Sequence, residues 1–258
     1  MKYFTIILII LVSTFLSCTG SSDSKDKDGT PHNMDIYLLI GQSNMAGRAE
    51  IETQDADTLK GVFLFTGLED NAWEAAANPV NKYSTIRKQL EIQKLGPGYY
   101  FAKSMAAQNP KKQIGLVVNA KGGTAISEWM PGTEFYNEAI ERAKQAMDSV
   151  TLKGVVWHQG ESDISRTDVY MEKLSILIDN LRADLGDENL PFIAGQLSED
   201  KVERKQFNVM ILELPQTIKN TGVVTTENTA TFDGTHFDSE SQRKLGKRYA
   251  EEMQKLIK

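Results

Sequence analysis

Residues able to do chemistry gather in four short stretches. The first is IYLLIGQSNMAG, residues 36–47, where an apolar run stops at a glycine and Ser43 follows between Gln42 and Asn44. A serine so placed caps a helix, cradles an anion or attacks a substrate, and the stretch alone leaves all three open. A serine hydroxyl is a poor nucleophile without a base in hydrogen-bond reach. A histidine base in turn needs a carboxylate to fix its tautomer. The chain has three histidines, and His32 lies in a polar N-terminal stretch, which leaves His158 and His236. In FDGTHF, Asp233 and His236 flank a glycine-containing turn that could present orienter and base together. The same spacing also suits an Asx-turn ahead of a helix, with an incidental histidine.

Acyl transfer further requires donors aimed at the developing oxyanion, commonly backbone N–H groups beside glycines and a side-chain amide. Gly122 and Gly123, in NAKGGTA, can present bare backbone amides, or simply turn the chain from strand to helix. Gln159, in WHQGESD, offers a side-chain N–H, or else is a buried polar residue paired with backbone.

Those stretches need a scaffold, and the pattern of apolar runs supplies one. Candidate strands are 35–40, 62–65, 114–119, 154–158 and 192–196, with 222–225 as a further candidate. Runs such as IGLVV and GVVW are near-continuous rather than alternating, as in a parallel sheet covered on both faces. Between them, Tyr170, Leu174, Leu177, Ile178, Leu181 and Leu185 recur at helical spacing. So do Ala139, Ile140, Ala143 and Met147, and at the C-terminus Leu245, Tyr249, Met253 and Ile257. Alternating strand and helix predict an α/β fold: a three-layer α/β/α sandwich with a central, mostly parallel sheet of about five strands. The region 66–98 reads as an insertion with loops. In such sheets ligands bind outside the carboxyl ends of the strands. Three of the four stretches directly follow predicted strands, and FDGTHF stands just before the last helix.

The 258 residues are 40% hydrophobic and 25% charged, ordinary for a globular protein. A net charge of −6 provides no basic footprint for nucleic acid. Lys2 followed by the apolar run 4–16 has the length of a signal-peptide core, short of the roughly 20 residues a membrane-spanning helix needs. Cys18 is the only cysteine, so it forms no internal disulfide. Placed after a small residue at the end of the apolar core, it resembles a bacterial lipobox. The reading is a signal peptide over 1–17, lipidation at Cys18, a flexible tether over 18–33 and a single domain over 34–258. The expected location is the cell envelope, periplasmic or surface, with the membrane reached through the lipid.

GQSNM, KGGT, WHQGESD and DGTHF, in that order over about residues 35 to 255, resemble the SGNH-type esterases. The likeness is nearest to the branch holding sialate O-acetylesterases and the acetylxylan esterases of carbohydrate esterase family six. The resemblance implies Ser43 as nucleophile, His236 as general base and Asp233 as its orienter. It implies an oxyanion hole from the N–H groups of Ser43 and Gly123 and the Gln159 side chain. Glu161 is a possible second carboxylate, either assisting or replacing Asp233, or a first-turn helix acid. Gln42 and Asn44 are expected to fix the loop and, with His158 and Trp129, are weaker candidates to line the substrate. Trp129 either stacks on a sugar ring or belongs to the core.

The expectation is therefore a serine esterase that removes O-acetyl groups from carbohydrate through an acetyl-enzyme, without metal or organic cofactor. Its substrate would be an acetylated oligo- or polysaccharide, acetylxylan or a related plant glycan, with O-acetylated sialate as the alternative. A non-catalytic carbohydrate-binding lipoprotein is the rival of another class. Nucleotide binding is disfavoured by the lack of G-x-x-x-x-G-K-[ST] and of G-x-G-x-x-G spacing, and a metallohydrolase by the lack of H-E-x-x-H.

Overall fold

The computed structural model describes residues 33–68, 72–148 and 150–257. The signal-peptide, Cys18 and tether assignments lie outside the described residues. Seven strands form one sheet: β1 (Met34–Gly41), β2 (Val62–Phe65), β3 (Trp73–Ala75), β4 (Gln113–Ala120), β5 (Thr151–His158), β6 (Phe192–Gly195) and β7 (Thr221–Val224). Their spatial order is β3-β2-β4-β1-β5-β6-β7, with every pairing parallel except β2 with β3.

The helices are α1 (Ser43–Ala46), α2 (Gly98–Gln108), α3 (Glu134–Ala146), α4 (Thr167–Leu185), α5 (Lys205–Ile211), α6 (Leu214–Thr217) and α7 (Ser239–Leu256). β1 lies at the centre and is buried on both faces, which explains its unbroken apolar run. Ile36, Leu38 and Ile40 pack with Trp129, Trp157, Tyr170 and Leu174 in the layer of α3 and α4. Tyr37 and Leu39 face the other way, into Tyr99, Phe101, Leu245, Tyr249 and Met253 of α2 and α7. The period of two along one strand thus builds two cores, one on each side of the sheet.

The three-layer α/β/α expectation holds, and the number of strands is corrected from about five to seven. β7 occupies the sixth candidate segment. β3 falls inside the region read as loops: it is a three-residue edge strand, too short to show a pattern of its own. α2 was also unforeseen. Its Tyr99, Phe101, Ala102 and Met105 are buried against the sheet and α7.

The chain leaves β1 for one side of the sheet and returns at β4, then crosses to β5 on the other side. The order of strands therefore reverses about β1, and the residue just beyond that strand stands at the switch point where such sheets hold ligands.

Candidate active site

Ser43 is set at this switch point by a backbone that only glycine permits. Gly41 has φ +137°, and a Cβ there would lie 2.2 Å from the carbonyl oxygen of His158. β1 and β5 consequently end in close contact, and the Gln42 N–H donates to that carbonyl at 2.9 Å. Ser43 opens the four-residue α1, where a first-turn N–H has no acceptor within the helix.

Across the rim, residues 231–237 fold back on themselves. Thr231 and Phe237 form an antiparallel bridge, and the Phe232 N–H donates to His236 O at 3.0 Å. Asp233 uses its two oxygens differently. Oδ1 accepts the N–H groups of Thr235 (2.9 Å) and His236 (2.7 Å), which is the Asx-turn that the spacing allowed. Oδ2 lies 2.7 Å from His236 Nδ1, and His236 Nε2 lies 3.0 Å from Ser43 Oγ. Orienter and turn former are therefore one side chain. Burial by itself would raise the Asp233 carboxyl pKa, but the His236 N–H, its ring and the Thr235 N–H together hold it below the ordinary carboxylate value. An ionised Asp233 favours Nδ1–H on the ring and leaves Nε2 free to accept the proton of Ser43.

Gly122 flanks the nucleophile. A Cβ on Gly122 would stand 3.2 Å from Ser43 Cβ and 2.7 Å from Arg48 Nη2, so the chain passes where a side chain would intrude. Gly123 has φ +80° and faces open space save for Lys88 Nζ at 3.5 Å from a would-be Cβ.

Asn44 joins the two loops. Its Nδ2 donates to Thr235 O at 3.0 Å and to Glu161 Oε1 at 2.5 Å, and its Oδ1 accepts the Phe237 N–H at 3.1 Å. Gln42 Oε1 accepts from Gln159 Nε2 at 3.2 Å and the Gly160 N–H at 3.4 Å. Both side chains bridge neighbouring loops, and both are buried.

Four further candidates have protein partners that bear on the roles open to them. Gln159 Nε2 has acceptors in Asp163 Oδ2 (2.6 Å), Thr124 O (2.9 Å) and Gln42, while its Oε1 accepts from the Tyr170 hydroxyl at 3.0 Å. Its two N–H bonds already have three protein acceptors, so the amide ties rim loops together rather than pointing a free donor at substrate. Glu161 does not reach the His236 ring: it takes Asn44 and lies 3.9 Å from His158 Nε2. His158 is wholly buried with Nδ1 2.7 Å from the Tyr249 hydroxyl, and burial lowers its pKa against the opposing pull of Glu161. Trp129 is also wholly buried, donating to Thr124 Oγ1 at 3.0 Å and packing edge-on against Trp157, so it belongs to the core. In all four, partners distant in sequence draw the side chain inward.

Two residues at the rim escaped the sequence reading. Phe232 is 57% exposed and stacks on His236, with ring centroids 5.9 Å apart at 23°. Its signal was an isolated aromatic in a polar loop beside Asp233. Arg48 follows Ser43 by one turn of chain and sits against Gly122. Among the described residues no three His, Cys, Asp or Glu side chains gather as metal ligands would.

Comparison with known proteins identifies the family. The family model for carbohydrate esterase, sialic acid-specific acetylesterase, matches residues 33–255. A probable carbohydrate esterase of Arabidopsis thaliana is 31% identical over 200 residues, covering 68% of this chain and 75% of that protein. The human sialate O-acetylesterase is 26% identical over 220 residues; the match covers 64% of this chain and 40% of the human protein. A solved structure of an Arabidopsis thaliana protein superposes with a TM-score of 0.77 at 27% identity, covering 87% of this chain and 99% of that one. The chain belongs to the carbohydrate esterase family of sialic acid-specific acetylesterases, in line with the kinship read from its four motifs.

Proposed function

We propose that this carbohydrate acetylesterase works through Ser43, His236 and Asp233 and an acetyl-enzyme intermediate. The observation that carries the reading is the continuous run of contacts, 3.0 Å from Ser43 Oγ to His236 and 2.7 Å from His236 to Asp233. Ser43 Oγ attacks the acetyl carbonyl while His236 Nε2 takes its proton. The oxyanion is held by the N–H groups of Ser43 and Gly123, each such donor being worth on the order of 100-fold or more in rate. His236 then protonates the departing sugar oxygen, and water releases acetate from Ser43 by the same steps in reverse. Asp233 keeps the ring in the required tautomer throughout.

Acetylated xylan or a related plant glycan is one substrate class within this reading. O-acetylated sialic acid is the other, and Arg48, beside the nucleophile and without a carboxylate partner among the described residues, favours a sugar bearing a carboxylate. Acetate release from acetylated xylan and from O-acetylated sialic acid, compared for wild type and Ser43→Ala, tests the proposal. Release that vanishes in Ser43→Ala is the expected result. A wild type inert on both glycans and on p-nitrophenyl acetate would revive the carbohydrate-binding alternative. The apolar run 4–16 and Cys18 support export and lipid anchoring, and metabolic lipid labelling that is lost in Cys18→Ala is the corresponding check.

A further inference from the structure

A cavity of about 300 Å³ opens beside the nucleophile turn, lined by Arg48, Glu50, Lys94, Phe232, Asp238 and Ser239. Its charges do not balance locally. Glu50 is paired with Lys94 at 2.8 Å, and Asp238 Oδ1 accepts the Ser241 N–H at the start of α7. Arg48 has no carboxylate partner among the described residues. Its Nη1 donates to the carbonyls of Gly47 (2.6 Å) and Ile92 (3.2 Å), which pins the head of the side chain. Nη2 and Nε carry no acceptor among the described residues, and the side chain is only partly buried. Partial burial lowers the guanidinium pKa, the direction expected of a cation desolvated without a counter-ion.

The position is specific as well. The bare Cα of Gly122 separates Arg48 Nη2 from Ser43, with a would-be Cβ 2.7 Å from one and 3.2 Å from the side chain of the other. Phe232, stacked on His236 and mostly exposed, forms another wall of the same cavity. The cavity thus has a pinned cation and an aromatic face among its walls, next to the Ser43 turn and the His236 ring.

We propose that Arg48 and Phe232 form a subsite for the carboxylate-bearing ring of an acidic sugar, with Arg48 taking the carboxylate through its unused N–H groups. Arginine matches carboxylates in planar, paired hydrogen bonds, and a half-buried guanidinium with no carboxylate partner among the described residues is arranged to receive one. The subsite rests on the acetylesterase reading and narrows its substrate to O-acetylated glycans carrying an acid, whether sialic acid or a hexuronic acid. Neutral xylan chains lack the group that Arg48 would bind.

The test compares KM for acetate release from each O-acetylated acid with that from its carboxamide, in wild type and Arg48→Gln. O-acetylated sialic acid and an O-acetylated glucuronic acid glycoside form separate arms, and the arm with the larger acid-over-amide preference identifies the source of the carboxylate. A charge-assisted hydrogen bond predicts a wild-type preference of roughly tenfold or more, falling to about onefold in Arg48→Gln. Arg48→Lys should keep part of it. A wild-type ratio near one in both arms would overturn the subsite, and needs no variant to fold. An Arg48→Gln loss equal for acid and amide would also overturn it, placing Arg48 at the reacting carbonyl or in the loop framework. If the wild type releases no acetate from any of these sugars, the acetylesterase reading fails by itself. Calorimetric binding of unacetylated sialic and glucuronic acids to wild type and Arg48→Gln then decides the subsite, with equal binding or none counting against it.

Discussion

Asn44 offers the sharpest test of how the two halves of the site are held in register. Ser43 belongs to the turn after β1 and His236 to a loop almost two hundred residues away in the chain, and the 3.0 Å contact between them depends on how those loops meet. Asn44→Ala removes three hydrogen bonds at that seam: to Thr235 O, from the Phe237 N–H, and to the buried carboxylate of Glu161. The first two are neutral and worth about 1 kcal/mol each, and the third, to a charged group, roughly 1.5–3 kcal/mol. The upper limit is therefore about 5 kcal/mol. Water entering the vacated space would recover part, so a loss of about 2–4 kcal/mol is expected in urea unfolding, within the stability of an ordinary domain. The kinetic effect is larger in proportion, because a displacement of about 1 Å at a catalytic base costs on the order of 100-fold. kcat on p-nitrophenyl acetate should fall by about that factor.

A second variant separates register from mere destabilisation. Asn44→Asp keeps the shape and still accepts the Phe237 N–H, but sets a carboxylate against Glu161 where the amide now donates. Like charges about 4 Å apart repel by roughly 4 kcal/mol in a partly shielded interior. Adding Glu161→Gln restores a donor to face the new acid, and the double variant should regain at least about tenfold in kcat over Asn44→Asp. Equal kcat in the single and double variants would refute the reasoning. So would Asn44→Ala with wild-type kcat and reduced stability, since the loop would then be held by its own Asx-turn and by the Lys201 and Arg204 contacts to Thr235.

Gly122→Ala should lower kcat/KM by about tenfold or more, because its methyl would crowd Ser43 and Arg48. Crowding the pinned guanidinium and the Ser43 turn should also cost about 1–3 kcal/mol in urea unfolding. Trp129→Ala should cost about 3–5 kcal/mol in urea unfolding, as expected for an emptied core site. Trp129→Phe should leave the glycan KM unchanged, and a selective rise in KM would return Trp129 to the substrate. Arg243 grips the fully buried Asp55 carboxylate, with contacts of 2.7 and 2.9 Å to its two oxygens. Burial alone would raise the Asp55 pKa, but Arg243 and the Glu52 N–H outweigh it and lower the folded value. That stabilisation is present above the unfolded carboxyl pKa of about 3.9 and is lost as pH falls through the folded value. Arg243→Met should therefore cost about 3–5 kcal/mol at pH 7, from the stranded carboxylate, and much less near pH 3.

The parts of this protein that were legible in the sequence are those written locally. Apolar runs ending at glycines and polar residues marked the ends of β1, β4 and β5, because a buried parallel strand needs a continuous apolar run and its exit needs a turn. Asp233 and His236 were legible for the same reason: the Asx-turn that sets their geometry is built within four residues. The illegible parts depend on distant partners. Gln159 finds its acceptors at Gln42, Thr124 and Asp163, Glu161 finds Asn44, and Trp129 is closed off by Trp157. Arg48 stands out only because no described carboxylate pairs with it, which no linear pattern can show.

The residue types around Ser43 make sense once the partners are known. Three loops of different polarity meet at the rim: carbonyls at Thr124 and Thr235, N–H groups at Gly160 and Phe237, and carboxylates at Asp163 and Glu161. An amide side chain donates and accepts together, so Gln42, Asn44 and Gln159 can each bridge groups of opposite kind. A hydrocarbon would leave those groups unpaired, and a carboxylate would face the two acids already there. The flanking amides in GQSN thus make the joint that lets the Ser43 hydroxyl meet a histidine supplied by the far end of the chain.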